Sequence, residues 1–179
     1  MKASEDTRPS IFLIGMMGSG KSTVGPSLAD QLGFTYVDLD REIATLLGRS
    51  ITMVFEQQGE TTFRREEARC LAYFAQYTGQ VIDCGGGIVL DEDNRALLKT
   101  NNTIFLNASI DTLVTRLANV SNRPVLNLDL SLEQQITELV VERMPLYMQC
   151  SRQQIETDKL TPEGVVAEIC KFIVPGELG

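Results

Sequence analysis

One glycine-rich stretch near the start of the chain has the make-up of an anion trap. Gly15-Met16-Met17-Gly18-Ser19-Gly20-Lys21-Ser22 fits the pattern G-x-x-x-x-G-K-[ST]. Glycines let the backbone curl until several N–H groups point at one anion, and a following helix adds its positive N-terminal end. Lys21 is placed to reach the β- and γ-phosphates of a nucleoside triphosphate, and Ser22 to ligate Mg²⁺. Downstream, Asp38 and Asp40 stand two residues apart at the end of an apolar run. They read as acids for Mg²⁺ or a substrate hydroxyl, as a solvated turn, or as an N-cap of the next helix, with Asp40 a candidate for that cap. Gly85-Gly86-Gly87 offers bare backbone to a ligand, or is a flexible turn. Asp83, two residues earlier, reads either as a second Mg²⁺-side acid or as the partner of a buried lysine or arginine. Arg64, Arg123 and Arg143 lie far apart; spacing alone makes each a solvated charge, Arg123 beside Pro124 being the most suggestive. Arg65 and Arg69 with Glu66 and Glu67 read as a solvated helix face. The chain has no histidine, which excludes Ser-His-Asp hydrolysis, His-ligated zinc and His general-base chemistry. Carboxylates, lysine and arginine must carry any catalysis.

The elements that would hold these residues alternate strand and helix. Ile11–Ile14 reads as the first strand and Lys21–Leu32 as a helix closed by Gly33. Phe34–Val37 is the second strand, followed by helices at 41–47, 50–58 and 60–77, punctuated by Gly48 and Gly59. Val81–Cys84, Thr103–Leu106 and Gln153–Glu156 complete the strands, with helices from Asp91 to Leu98 and from Ser109 to Leu117. Ser131 and Gln134 form a capping box for a helix that Pro145 is expected to break, which places Arg143 near a helix end. Thr161-Pro162-Glu163 opens the last helix. Such alternation predicts an α/β sandwich on a parallel sheet, with sites at the carboxyl ends of the strands. Residues 119–130 lack periodicity and contain Arg123-Pro124, the profile of a functional lid.

At 179 residues the chain is expected to form one domain, 1–179. A net charge of −8 argues against nucleic-acid binding and means that an anionic substrate needs locally gathered cations. No run approaches a membrane span, and Met1–Ser10 resembles no targeting segment. Cys70, Cys84, Cys150 and Cys170 are scattered, as expected for reduced core thiols in a cytoplasmic protein.

Taken together, GMMGSGKST (15–23), DLD (38–40), FRREE (63–67), GGG (85–87), RPVL (123–126) and ERMPLY (142–147) resemble shikimate kinase, from about Ile11 to Ile173. The resemblance implies a three-layer sandwich around a five-stranded parallel sheet of order 2-3-1-4-5. It implies transfer of the γ-phosphoryl group of ATP to the 3-hydroxyl of shikimate, with Mg²⁺, in a monomer. By motif, Gly18, Ser19, Gly20, Lys21, Ser22 and Thr23 would hold the ATP phosphates, and Ser22 and Asp38 would hold Mg²⁺. A substrate-binding region at about 38–67 would supply Asp40 for the shikimate hydroxyls and as the best candidate base. Arg64 and Arg143 would hold the carboxylate, with Gly86 and Gly87 behind the substrate. Arg123 would close from the lid onto the transferring phosphate, and Arg116 would pack on adenine. Departures are few: Met16 stands where proline is common, Cys84 where threonine is common, and Asp83 is no signature of the family. A gluconate kinase of the same fold and a non-catalytic binding module are the competing readings.

Overall fold

The computed structural model describes residues 7–118 and 130–173. Arg123 and almost all of the expected lid therefore lie outside the described residues. Five strands, β1 (Ile11–Ile14), β2 (Thr35–Asp38), β3 (Gln80–Asp83), β4 (Asn102–Asn107) and β5 (Gln153–Glu156), form one sheet of order β2-β3-β1-β4-β5. Every pairing is parallel. Helices α1 (Lys21–Leu32), α2 (Leu39–Leu47), α3 (Ile51–Phe74), α4 (Glu92–Thr100), α5 (Ile110–Leu117) and α6 (Leu132–Cys150) lie in the crossovers, and α7 (Pro162–Ile173) follows β5.

Strand side chains alternate between the two faces, and both faces are apolar, as a sheet covered on both sides requires. Phe12 and Ile14 of β1 pack with Val37, Ile82 and Phe105 against α2, α3, α5 and α6. Ile11 and Leu13 turn the other way and join Val81, Ile104, Leu106 and Ile155 against Val24 and Leu28 of α1 and Val166 and Ile169 of α7. With all strands parallel, their carboxyl ends share one edge, and the 15–22 loop, Asp38, Asp83 and the triple glycine all emerge there.

Several expectations need correction. Pro145 does not end its helix: α6 continues from Leu132 to Cys150. Proline withholds only the bond to the carbonyl four residues earlier, and Val141, 71% exposed, can leave that carbonyl to solvent. Arg143 consequently sits inside a helix rather than near its end. The cap of α2 is Asp38, whose carboxylate accepts from the Arg41 N–H at 3.1 Å, while Asp40 lies within the first turn. Three strands shift or extend by a residue: β2 runs Thr35–Asp38 rather than 34–37, β3 Gln80–Asp83 rather than 81–84, and β4 Asn102–Asn107 rather than 103–106. The helices expected at 50–58 and 60–77 meet at Gly59, whose φ of 80° and ψ of 165° are not helical, and the second stops at Phe74.

Candidate active site

The edge of the sheet opens into a cavity of about 820 Å³, walled by the 15–22 loop, the start of α2, the middle of α3, the triple glycine and α6. The loop is built by close approach. A side chain on Gly15 (φ 144°) would meet the Leu106 carbonyl oxygen at 2.4 Å, so only glycine lets the loop seat on β4. Gly18 (φ 80°) and Gly20 (φ 105°) are also left-handed, and Gly20 leads into α1 with no side chain capping the helix. Gly18, Ser19, Gly20, Lys21, Ser22 and Thr23 all face the cavity. The buried Lys21 donates to the carbonyls of Gly15 (2.8 Å) and Met16 (3.1 Å). The Ser19 hydroxyl is buried without a hydrogen-bond partner, an orphan that an anion's oxygen would satisfy.

Arg116, from the last turn of α5, clamps the back of this loop. It donates to the Gly18 and Ser19 carbonyls at 3.1 and 3.4 Å and to Thr157 at 3.2 Å. Beside it, Leu160, Pro162 and Val165 line an apolar stretch of wall.

Across the cavity stand the acids. Asp38 and Asp83 are register partners at the ends of β2 and β3. Burial raises the Asp83 pKa and Asp38 adds to the rise, while Lys21 and Ser22 oppose it. Asp40 is exposed to the open cavity; desolvation and then Asp38 raise its pKa, with Lys21 pulling it down. Gly85 lies behind it: a side chain there would come within 3.0 Å of Asp40 Oδ1 and 3.1 Å of Glu67 Oε1.

Two arginines line the wall formed by the triple glycine. Arg64 of α3 donates to Glu67 Oε2 at 2.8 Å and to Glu60 Oε1 at 3.0 Å, and lies so close over Gly87 that a methyl there would land 2.1 Å from its Nη1. Arg143 of α6 donates to the Gly86 carbonyl at 3.3 Å. Tyr147, one turn on, donates to the same carbonyl and stacks on Phe105 with centroids 5.0 Å apart. Thus Arg64 and Arg143, from two helices far apart in sequence, converge on adjacent glycines.

The solvated face expected at 65–69 is wrong for its acids. Glu66 is buried and paired with Arg65 and Arg69. Glu67, 1% exposed, points into the site; burial outweighs Arg64 and pushes its pKa up to about 7, and its Oε1 has no partner. The signal was present: Phe63, Glu67, Cys70 and Leu71 share one helical face, and the other three are apolar. Cys84, by contrast, is the small core residue its context suggested, buried and with its thiol pKa raised.

Four cations (Lys21, Arg64, Arg116, Arg143) and four acids (Asp38, Asp40, Glu67, Asp83) line the cavity, so the gathered cations do not make it positive overall. A polyphosphate among these acids calls for a divalent cation, and the donor set suits one: a serine hydroxyl and carboxylates are hard oxygen ligands. Among the described residues no three acidic, cysteine or histidine side chains converge tightly enough to hold a metal by themselves. That matches Mg²⁺, which takes one or two carboxylates and completes its shell with phosphate oxygens and water.

Comparison with known proteins agrees with this geometry. The model of the shikimate kinase family matches residues 17–174. A shikimate kinase of Thermodesulfovibrio yellowstonii is 41% identical over 162 residues, covering 90% of this chain and 92% of that protein. The solved shikimate kinase from Acinetobacter baumannii in complex with shikimate superposes with a TM-score of 0.91 at 32% identity, covering 97% of both chains. A gluconokinase from Sinorhizobium meliloti, at 15% identity and a TM-score of 0.55, shares the fold alone.

Proposed function

The chain belongs to the shikimate kinase family, and on that premise we propose that it transfers the γ-phosphoryl group of ATP to the 3-hydroxyl of shikimate. The observation that carries the substrate assignment is the convergence of Arg64 and Arg143 on Gly86 and Gly87, on the wall beside the phosphate loop. Two guanidinium groups over bare backbone make a carboxylate site, and forked donors suit that anion better than an ammonium would.

In this reading the loop amides, Ser19 and Lys21 hold the phosphates, and Arg116 keeps the loop in shape while flanking the apolar wall that takes the base. Ser22 and Asp38 hold Mg²⁺, which when bound neutralises phosphate charge as it builds on the leaving oxygen. Asp40 accepts a hydrogen bond from the acceptor hydroxyl. That oxygen bonds to the γ-phosphorus, the bond to the bridging oxygen breaks to release ADP, and the proton passes to Asp40. A carboxyl whose pKa is raised is better matched to that proton than one at the ordinary value. Arg123 closes from the 119–130 lid onto the moving phosphoryl group and excludes water. The enzyme works as one domain and a monomer in the cytoplasm, with no nucleic-acid or membrane partner. No helix among the described residues is long and apolar enough to cross a membrane.

Coupled ADP release with ATP and Mg²⁺ tests this, comparing shikimate, gluconate and no acceptor. Release that depends on shikimate is expected. Slow release indifferent to the acceptor would leave the phosphate loop standing and remove the arginine assignment.

A further inference from the structure

We propose that Asp83 contributes a carboxylate oxygen to the divalent-cation shell beside Ser22 and Asp38, and that the Tyr36 hydroxyl fixes its orientation. This rests on the nucleotide–Mg²⁺ reading above. Asp83 is 5% exposed at the end of β3 and in register with Asp38, so the two carboxylates leave the sheet side by side. It faces the cavity, yet among the described residues no lysine or arginine forms an ion pair with it. The nearest cation, Lys21, gives its hydrogen bonds to the Gly15 and Met16 carbonyls instead. A buried carboxylate left without a direct partner charge costs more than one with a hydrogen-bonded partner.

The Tyr36 hydroxyl donates to Asp83 Oδ2 at 3.2 Å, and the Ser22 hydroxyl also bears on this carboxylate. The Tyr36 bond orients the acid toward the side of the loop on which Ser22 stands. Tyr36 is itself held, because its ring fills the space beside Gly25 of α1, where a side chain would meet Cε2 at 2.4 Å. A glycine in the middle of a helix weakens it, and here that glycine admits the ring that carries the hydroxyl to the acid. The independent sign of a ligand at this end of the sheet is the partnerless, buried Ser19 hydroxyl in the phosphate loop.

The test is Mn²⁺ binding followed by electron paramagnetic resonance on the protein–ADP complex, for the wild type, Asp83→Asn and Tyr36→Phe. Asp83→Asn is expected to weaken Mn²⁺ in the ternary complex tenfold or more while leaving metal-free ADP binding equal or tighter, since a repulsive charge is gone. Tyr36→Phe is expected to weaken Mn²⁺ by a few-fold. Unchanged Mn²⁺ affinity in a folded Asp83→Asn overturns the proposal and leaves the nucleotide reading intact. A wild type that binds no ADP overturns both. Should Asp83→Asn fail to fold, Asp83→Ser is read by the same criterion.

Discussion

Glu67 is the residue on which stability and substrate recognition meet. It is buried, holds Arg64 at 2.8 Å, and leaves its second oxygen unpaired toward the back of Gly85. Its pKa is near 4.5 in an unfolded chain and about 7 in the folded protein. Between those values the folded state holds a proton that the unfolded state has lost, so stability from this group is full below about pH 4.5 and declines as pH rises through 7. The span corresponds to about 3 kcal/mol. Glu67→Gln should therefore flatten the fall of unfolding free energy across this range, measured by urea titration at stepped pH. An unaltered slope would mean that other acids carry it. The sequence concealed this residue because arginines beside glutamates look like surface pairing; only the apolar partners on its helical face betray the burial. Asp40 was legible by position, but its place inside α2 was not, since either aspartate of the pair had the chemistry to cap the helix.

At the scale of elements, the two glycine-rich segments fail in different ways when filled. A side chain on Gly15 collides with backbone, whereas one on Gly87 collides only with the mobile end of Arg64. Gly87 has φ −99°, which any residue adopts. Gly87→Ala should therefore fold with near-normal thermal stability but raise the KM for shikimate tenfold or more, by turning the guanidinium away. A normal KM, read from steady-state kinetics, would show that Arg64 does not need that position. Helix α6 makes a second case. Proline inside a helix costs up to about 3 kcal/mol relative to alanine. Pro145→Ala should thus raise the urea midpoint, by an amount equivalent to ~1–3 kcal/mol. A loss of stability would show that the ring contributes packing worth more than the missing bond. The strands, the glycine helix stops and the capping box at Ser131 were readable because period, cap and turn chemistry are local. The course of α6 through Pro145 was not, because it depends on tertiary support and a solvent-facing carbonyl.

For the whole molecule, a charge of −8 surrounds a cavity whose own charges balance. Ligand binding must then act as a brace that draws the loop, α5 and the acids together. With ADP and Mg²⁺ at a hundred times their dissociation constant, mass action adds about 2.7 kcal/mol. That should raise the melting temperature by ~5–11 °C for a chain of this size, read by differential scanning fluorimetry. No shift would argue that the loop binds no nucleotide. The strand order carries a consequence for synthesis. β1 lies at the centre of the sheet, and both strands that flank it, β3 and β4, come later in the chain, the second ending at Asn107. Gly15 also packs on Leu106. On the ribosome, the segment that binds phosphate emerges early but has nothing to fold against until more than half of the polypeptide has been made. Nucleotide in the cell cannot rescue a short nascent fragment, so the exposed Ile11–Ile14 strand must be shielded by other means until β4 arrives.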